Sequence, residues 1–412
     1  MVARCERRRL EQTLAAATAW GIPSFRCRAA PRGSAQRTPP SSRNQAGFAP
    51  CSSRNLAGLA HSSITKYQFK CGFCDCSPCL AAPLLLVLAL SDMTLFLAGH
   101  TALEFWRHYA SAPTMPTNRL PHDEAPPTWR EAQALAKALP LLKQPYSVAV
   151  SKHDDRRVSA LVRCMVLSCP LPEGSFLQTG LGTYVASAPL TFLQMAPALP
   201  LPSLIELGYA LCGHYTFTPD PSSMALEAPP LASAATLAHY VGQARKMHGA
   251  KKARRAARYV LDGSNSPAET LIAMLLALPL SLGGYALPAP TLNPRLTTGK
   301  HDAALVSQQC YRPDLFWPDQ RIALEYDSLR HHAGFEKVSH DFQRGNEMRS
   351  MGLTVMTISW PQIAQLANTD RLAHQLRELL KLRKRPHPEG FRQRQASLRN
   401  CLIPRKRDVL WR

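Results

Sequence analysis

In residues 93–262, the pattern of hydrophobic and polar residues changes along the chain, from short strand-like runs to longer stretches with a helical period. Three short runs, YSVAVS, LVRCMVLS and GTYVAS, are rich in Val, Tyr, Ser and Thr and are separated by the turn-forming sequences KHDDRR and PLPEGS. Two longer stretches follow, APLTFLQMAPAL and LPSLIELGYALCGHY, in which apolar residues recur at helical spacing. Strand-like runs followed by helical periods predict a small α+β domain over residues 93–262.

The last segment of this domain is predicted to be one helix over residues 232–260. It contains the sequence RKMHGAKKARRAAR, with seven basic and no acidic residues. The basic residues of interest are Lys251, Lys252, Arg254 and Arg255. Two interpretations are open: the basic stripe is an ordinary solvated helix face, or it contacts phosphates and gives affinity without sequence specificity.

A second domain is predicted from residue 263 to residue 382, and its start has a clear helix signal. Ser266 is a good N-cap, Pro267 suits the first helical position and Glu269 stands at the third, which is a capping-box arrangement. An apolar helix is expected to run from there to Leu278, before Pro279. Glu269 therefore has a sufficient structural explanation.

Residues 311–332 read YRPDLFWPDQRIALEYDSLRHH and predict a β-hairpin. Two β-prone runs are joined by a Pro-Asp pair, which is common in turns. Antiparallel pairing about this turn would put Phe316 opposite Arg321 and Asp314 opposite Ala323.

The alternation of side chains along a strand puts Asp314, Glu325 and Asp327 on one face of this hairpin. Diagonal neighbours in such a pair have backbones about 7 to 8 Å apart, so two carboxylates can converge on one hard cation such as Mg²⁺. Without a cation, the acids would repel one another and raise the pKa of at least one of them. A solvent-facing hairpin also alternates polar and apolar residues, so both interpretations are open.

Composition adds a partner to this picture. The chain has 412 residues, with 49 Lys and Arg against 28 Asp and Glu, and its net charge of +21 favours a polyanion such as DNA. Anionic membrane is the second candidate, but the apolar run at residues 80–90 is too short to span a bilayer and Asp92 interrupts its extension. We therefore expect no membrane anchor.

The first 92 residues differ from the rest. They are rich in Ser, Arg, Pro and Cys without a sustained period, which predicts a disordered extension or a mis-assigned start. Cys71, Cys74, Cys76 and Cys79 lie in CGFCDCSPC, a spacing that could bind zinc or an iron–sulfur cluster or could be incidental. The scattered later cysteines are typical of reduced core thiols and favour a cytoplasmic protein.

From about Ser266 to Trp360 the polar residues resemble a known pattern. The matching positions are Arg312, Asp314, Glu325, Asp327, His332, Asp341, Arg344, Met348, Gly352 and Val355. In type and spacing they resemble the PD-(D/E)XK nuclease superfamily, in particular its branch similar to very-short-patch repair endonucleases. The resemblance implies an α/β restriction-endonuclease-like core of helix, three-stranded antiparallel hairpin sheet, helix and strand, followed by a basic tail over residues 383–412.

The resemblance also implies roles for individual residues. Asp314 and Glu325 would hold Mg²⁺ or Mn²⁺, Asp327 would complete the site and Glu269 would assist it. Asp327 stands where the superfamily has lysine, and Ser328 stands where it has glycine. The role of the lysine could therefore have passed to His332, either as a general acid or as a phosphate contact, although His332 could equally be a surface residue.

DNA contacts are expected from Arg344, from the basic stripe and from the tail. Asp341 and Arg344 stand one helical turn apart and could pair. Residues 361–385 are predicted to be one amphipathic helix with five apolar members. These are Ile363, Leu366, Leu372, Leu376 and Leu379. The basic tail after this helix is expected to be disordered and to add salt-sensitive affinity for DNA.

Two functions are therefore expected from the sequence. The first is a Mg²⁺-dependent DNA endonuclease of restriction or repair type. The second is a DNA-binding regulator with a degenerate nuclease fold, because GTYVASAPLTFLQMA resembles the sensor part of abortive-infection antitoxins.

Overall fold

The computed structural model describes residues 94–110, 112, 114–121, 128–179, 183–216, 226–299, 305–327, 335–383 and 386–403, with the backbone alone at 216, 226 and 335–342. The expectations for residues 1–92, including the four-cysteine cluster, and for Ser328 and His332 lie outside these residues. None of the helices in the described part of the chain is long and apolar enough to cross a bilayer. The described residues form a mixed α/β structure with several sheets.

Six short strands form the first sheet. They are β1 (Phe96–Leu97), β2 (Thr114–Thr117), β3 (Tyr146–Val150), β4 (Val162–Val166), β5 (Phe176–Thr179) and β6 (Tyr184–Ala186). Their order is β2-β5-β6-β1-β3-β4. The β1–β6 and β3–β4 pairs are parallel and the other pairs are antiparallel. The three β-prone runs predicted from the sequence are confirmed as β3, β4 and β6.

Helices and one small hairpin accompany this sheet. The helices are α1 (Gly99–Tyr109), α2 (Trp129–Ala138), α3 (Ala188–Met195), α4 (Leu201–Cys212), α5 (Ala234–Gln243) and α6 (Ala250–Ala257). The hairpin is β7 (Tyr215–Thr216) with β8 (Leu226–Glu227). Both predicted helices, α3 and α4, are present, and the N-cap of α3 is Ser187, whose hydroxyl accepts a hydrogen bond from the Leu190 amide.

The prediction of a single helix over residues 232–260 is wrong, because the segment forms two helices. Between α5 and α6 the chain turns at Gly249, which has a φ of +86°. A Cβ there would lie 2.8 Å from Cδ of Pro197, so the turn needs a glycine. Helix α6 then packs through buried alanines, such as Ala253 and Ala256, against α4 and α5.

The described chain from residue 263 onward is called the second half. It has four strands in a main sheet, two strands in a small ribbon, and five α-helices. In chain order they are α7 (Pro267–Ala277), β9 (Thr291–Leu292), β10 (Leu296–Thr297), β11 (Cys310–Tyr311), β12 (Leu315–Trp317), β13 (Ile322–Asp327), α8 (Phe335–Ser350), β14 (Thr354–Ser359), α9 (Trp360–Ala364), α10 (Leu366–Leu379) and α11 (Phe391–Leu402). The main sheet has the order β14-β13-β12-β9, and β10 pairs with β11.

The main sheet of this half combines an antiparallel meander with one parallel strand. Strands β9, β12 and β13 run antiparallel to their neighbours, and β14 runs parallel to β13 after the crossover through α8. Apart from the β10–β11 ribbon, the elements follow one another as helix, three antiparallel strands, helix and strand. This is the order of elements expected from the sequence.

The predicted register of the β12–β13 hairpin is wrong by two residues. Phe316 pairs with Ala323, rather than with Arg321, and Leu315 pairs with Leu324. The cause is a four-residue turn, in which the Arg321 amide donates to the Pro318 carbonyl and Arg321 has a φ of +53°. A shift by two keeps every side chain on its predicted face.

Both faces of this sheet are covered, so the interpretation as a solvent-facing hairpin is wrong. Leu315, Trp317, Ile322, Leu324 and Ile358 belong to the main hydrophobic cluster. Phe316, Ala323, Met348, Met351 and Leu353 form a second cluster. Because Met348 lies on α8, that helix covers the face to which Glu325 also belongs.

The C-terminal region is more ordered than the sequence suggested. The predicted amphipathic helix is divided into α9 and α10, and two of its apolar members, Leu366 and Leu379, are 37% and 38% exposed. The prediction of a disordered basic tail is wrong for residues 391–402, which form α11 with Phe391, Leu398 and Leu402 buried. Residues 404–412 lie outside the described part.

Candidate metal and nucleic-acid site

The carboxyl of Asp314 lies just before β12 and is held by the next strand. Its Oδ2 accepts a 2.7 Å hydrogen bond from the Tyr326 amide of β13. The Asp314 carbonyl accepts a 3.1 Å bond from the amide of Asn293. The first bond holds the carboxyl of Asp314 and the second holds its backbone. Asp314 is therefore positioned by neighbouring segments of the sheet.

The pKa of Asp314 is raised to about 8. Burial is the largest cause, and the charges of Glu269 and Glu325 add to it, whereas the Tyr326 amide and the Arg344 guanidinium oppose it. The neighbouring acids act in the expected direction, but burial, which the sequence argument did not include, is the larger cause. The three carboxyls come from three different elements, namely α7, the approach to β12, and β13.

Glu325 forms an ion pair with Arg344 of α8. The distance from Nη1 of Arg344 to Oε2 of Glu325 is 2.8 Å, and the two side chains are 28% and 14% exposed. Nη2 of Arg344 donates to the carbonyl of Arg312 at 2.5 Å. The side chain of Asp341, the other partner expected for Arg344, lies outside the described side chains. The predicted DNA contact of Arg344 stays a prediction.

Glu269 lies in the first turn of α7, near Asp314. Its carboxylate accepts from the Asn265 amide rather than from the Ser266 amide, so the predicted capping box is not formed. The N-cap at Ser266 is confirmed, since its hydroxyl accepts a bond from the Glu269 amide. The carboxylate of Glu269 accepts from the amide of Asn265 at 2.8 Å, from the Ser266 hydroxyl at 2.8 Å and from Nδ2 of Asn293 at 2.5 Å. Burial raises the pKa of Glu269 and these three bonds lower it.

Asn293 is a site residue that the sequence reasoning missed. Nδ2 of its side chain donates to Glu269, and its backbone N–H donates to the Asp314 carbonyl. Asn293 therefore joins two of the three acids. Its φ of +47° lies in the left-handed region, which asparagine adopts more readily than most residues. An asparagine before proline between two short strands was the available signal, but its partners are distant in sequence.

Asp327 lies two residues beyond Glu325 on β13, and its charge is not among those that raise the pKa of Asp314. It is the exposed last residue of β13, paired with Ser359 of β14. Within the described residues, no group of three or more His, Cys, Asp or Glu side chains is arranged to hold a metal ion. The charges of Glu269 and Glu325 nevertheless act on Asp314, so these three acids lie near one another, and binding of a metal by Asp314, Glu325 and Asp327 stays a prediction.

The basic stripe lies on α6, on the side opposite its buried alanines. Lys251 and Arg255 are exposed, and Arg254 is half-buried. Lys252 donates a 3.0 Å hydrogen bond from Nζ to the carbonyl of Leu199, so its ammonium is held against the fold. The ammonium of Lys251 and the guanidinium of Arg255 are therefore accessible to solvent.

Comparisons of the chain with protein-family models, with curated proteins and with solved structures found no match. Two features of this chain bear on its function, namely the acid cluster (Glu269, Asp314 and Glu325) and the basic stripe.

Proposed function

We propose that this chain is a Mg²⁺- or Mn²⁺-dependent DNA endonuclease that hydrolyses phosphodiester bonds. The observation that carries the proposal is the convergence of Asp314 with Glu325 and Glu269 in a largely buried site. Burying several carboxylates together is costly unless a cation or protons offset their charge. A cluster of this kind is therefore more typical of a functional site than of a structural one.

Carboxylates such as those of Asp314 and Glu325 are the kind of oxygen ligand that a hard cation takes. Mg²⁺ takes oxygen ligands and is commonly bound by one or two carboxylates with several waters, so Asp314 and Glu325 would be sufficient protein ligands. When bound, Mg²⁺ would supply an activated water and neutralise charge on the reacting phosphate. Asp327 and His332, next along the chain, would contribute a further ligand or a proton donor if the resemblance to the nuclease superfamily holds.

Other residues of the chain would orient these acids. The Tyr326 amide fixes the rotation of the Asp314 carboxyl. Arg344 binds both Glu325 and the Arg312 carbonyl, so it holds Glu325 at a set position relative to the start of the hairpin. Asn293 links Glu269 to the backbone of Asp314. Positioning of this kind is what metal-assisted hydrolysis requires of the protein.

DNA is the proposed substrate because the chain carries a net charge of +21 and an exposed basic stripe on α6. Contacts from lysine and arginine to phosphates give affinity that is independent of sequence and sensitive to salt. A cytoplasmic location is part of this proposal.

A cleavage assay with matched variants tests the enzyme proposal. The full chain would be incubated with supercoiled plasmid and MgCl₂ or MnCl₂, beside Asp314→Asn and the control Asp319→Asn, which changes an exposed turn acid of the same hairpin. We expect wild type and Asp319→Asn to nick or linearise the plasmid and Asp314→Asn to be slower by about 100-fold or more, as for the loss of one group acting on the transition state.

A DNA-binding regulator is the second candidate. The ion pair of Arg344 with Glu325 favours it, because a fixed guanidinium already offsets part of the charge that a metal would offset. This candidate predicts DNA binding in a gel-shift assay with no cleavage under any divalent metal. That outcome, with the protein folded, would contradict the endonuclease proposal.

A further inference from the structure

The carboxylate of Glu325 already has a cationic partner within the chain. Nη1 of Arg344 lies 2.8 Å from Oε2 of Glu325, which is one of the two acids that the proposed function gives to the metal. A Mg²⁺ ion bound to that oxygen at about 2.1 Å would lie about 5 Å or less from the guanidinium nitrogen. Two cations at this distance repel each other strongly where solvent exposure is low. The ion pair and a metal ion on Oε2 of Glu325 therefore oppose each other.

The same guanidinium also acts on the second acid of the proposed metal site. Burial, Glu269 and Glu325 raise the pKa of Asp314, whereas the charge of Arg344 lowers it. A positive charge that favours the ionised form of a carboxyl has part of the effect of a bound metal ion. Arg344 therefore neutralises both Asp314 and Glu325 in part, and a metal ion would take over this role.

The two ends of the Arg344 guanidinium have different partners. Nη2 donates to the carbonyl of Arg312 at 2.5 Å, and Nη1 donates to Glu325. A guanidinium has five N–H donors in a planar fork, so one end can keep its carbonyl while the other exchanges one anion for another. The side chain of Arg344 is 28% exposed and that of Glu325 is 14% exposed. An anion that arrives from solvent therefore meets the guanidinium more readily than it meets the carboxylate.

A phosphate of DNA is the anion that suits this exchange. Arginine binds phosphate through two parallel N–H donors, as it binds a carboxylate. Arg344 lies on α8, which covers the face of the hairpin that carries Glu325, so a phosphate at the proposed metal site would be near it. The net charge of +21 attracts a polyanion to the chain. A guanidinium that turns to phosphate leaves the charge of Glu325 to be neutralised by the metal ion.

We propose that Arg344 is an exchangeable counter-ion, which pairs with Glu325 in the DNA-free chain and moves to a phosphate when DNA binds. DNA and the divalent metal ion then bind cooperatively, because each favours the arrangement in which the ion pair is broken. This inference rests on the proposed function, since it assigns Glu325 to the metal ion and the phosphate to the substrate. The exchange would keep the acids neutralised until both the metal ion and DNA are present.

Calorimetric titration of the full chain with Mn²⁺, without DNA, tests the opposition between the ion pair and the metal. Arg344→Gln removes the guanidinium, and we expect the Kd for Mn²⁺ to fall by about fivefold or more, the lower end of common coupling effects. Arg344→Lys keeps the charge without the fork and should give an intermediate Kd. Arg349→Gln is the control, because it removes a charge from an exposed position of the same helix and should leave the Kd unchanged.

Fluorescence anisotropy with a short DNA duplex in EDTA tests the move to phosphate without any metal ion. Glu325→Gln releases the guanidinium, so it should tighten DNA binding by about fivefold or more. The control Asp319→Asn removes the same charge from an exposed turn and should have a smaller effect. The gain should disappear when Glu325→Gln is made in an Arg344→Gln background, because the two side chains act as one pair.

The outcomes separate this proposal from the proposed function. If Arg344 only positions Glu325, the Kd for Mn²⁺ should rise in Arg344→Gln, and a raised or unchanged Kd would overturn the exchange. A gain in DNA affinity that persists in the double variant would also overturn it. Thermal unfolding would show that each variant is folded; if Arg344→Gln is not, Arg344→Lys replaces it in both experiments.

Two further results would count against the proposed function instead. Absence of Mn²⁺ binding in every variant would overturn the metal-dependent activity, and the anisotropy experiment in EDTA would still decide whether Arg344 moves to phosphate. Both expected results together with no cleavage of plasmid would overturn the endonuclease and leave the exchange in place.

Discussion

The Tyr326 amide donates a 2.7 Å hydrogen bond to Oδ2 of Asp314, from one strand of the hairpin to the residue that precedes the other. The bond favours the charged form of Asp314, whereas burial and the charges of Glu269 and Glu325 favour the protonated form. Burial and the two neighbouring charges outweigh the hydrogen bond, because the pKa of the Asp314 carboxyl is raised to about 8. The backbone therefore orients an acid whose ionisation the surrounding structure opposes.

This balance predicts a pH dependence of stability in the absence of divalent metal. The pKa of Asp314 is about 8 in the folded chain, against an ordinary value of 3.8 for this carboxyl. The folded state therefore holds a proton that the unfolded state has lost, and the stabilising effect of Asp314 is lost as the pH rises from about 4 to about 8. Each unit of pKa difference corresponds to about 1.4 kcal/mol, so the total loss is on the order of a few kcal/mol.

Urea unfolding of wild type and Asp314→Asn in EDTA at pH 5 and pH 8 would measure this effect. The amide carries no charge at either pH, so the variant should gain stability relative to wild type as the pH rises. Asp319→Asn, in the exposed turn, is the control and should follow wild type. Parallel pH curves for wild type and Asp314→Asn would contradict the raised pKa.

Arg344 is predicted to stabilise the acid cluster in two ways. Arg344→Gln leaves Glu325 without its 2.8 Å ion pair and removes a charge that lowers the pKa of Asp314. Because both side chains are mostly buried, we expect a loss of roughly 1–3 kcal/mol in the free energy of unfolding at pH 7, below the value for a fully buried pair. Denaturant unfolding at constant pH would measure the loss.

Arg344→Lys separates charge from geometry at this position. Lysine keeps the positive charge near Glu325 but lacks the planar fork that also binds the Arg312 carbonyl. We expect it to recover part of the stability lost in Arg344→Gln. Equal free energies of unfolding for wild type and Arg344→Gln would show that the ion pair of Arg344 with Glu325 does not stabilise the fold.

Elements with strong local signals could be predicted from the sequence. Strands β3, β4 and β6 have β-branched and aromatic residues between turn sequences, and α7 has a Ser266 cap and Pro267 at its first position. For the β12–β13 hairpin, the alternation of side chains along each strand predicted correctly that Asp314 and Glu325 lie on one face, but it did not predict the register of the two strands. The register depends on how many residues the turn at Pro318 uses, and hydrophobic alternation does not encode that number.

Features that depend on distant partners could not be predicted. Asn293 acquires its role only because Glu269 and Asp314 are brought to it by other elements. Helix α11 has few apolar residues among many basic ones, so its local composition is that of a solvated tail. Its order depends on burial of Phe391 and Leu398 against residues far away in the sequence.

The basic stripe on α6 is predicted to contribute salt-sensitive affinity for DNA. The double variant Lys251→Gln/Arg255→Gln removes two exposed charges without touching the buried alanines of the helix. If Lys251 and Arg255 each contact a phosphate, a plot of the logarithm of the association constant for a DNA duplex against the logarithm of salt concentration should become less steep by about 2. The loss of affinity should be the same for duplexes of unrelated sequence.

A double variant on α2 is the matched control for this stripe. Arg130→Gln/Lys137→Gln makes the same change in net charge at two exposed positions of another helix. Fluorescence anisotropy at several salt concentrations would compare the two variants. If both lower the affinity equally, the effect belongs to the net charge of the chain and not to α6.

Arg399 is predicted to be the residue through which α11 stabilises the fold. It is 9% exposed, and its Nη2 donates 2.8 Å hydrogen bonds to the carbonyls of Ile363 and Ala364 at the end of α9. Nη1 donates to Oγ1 of Thr369 in α10. The guanidinium thus satisfies carbonyls that a helix terminus leaves unpaired, and its charge is favourable at that end of the helix.

Arg399→Met should therefore lower the free energy of unfolding by about 2–4 kcal/mol, because it removes three hydrogen bonds made by a buried guanidinium. Arg392→Met is the control on the same helix: Arg392 pairs with Asp370 but its side chain is 57% exposed, so its loss should cost at most about 1 kcal/mol. Denaturant unfolding of both variants would measure the difference. Equal stabilities would mean that α11 lies on the surface as a separable basic tail, whereas a large effect confined to Arg399 requires that this basic segment belongs to the folded core.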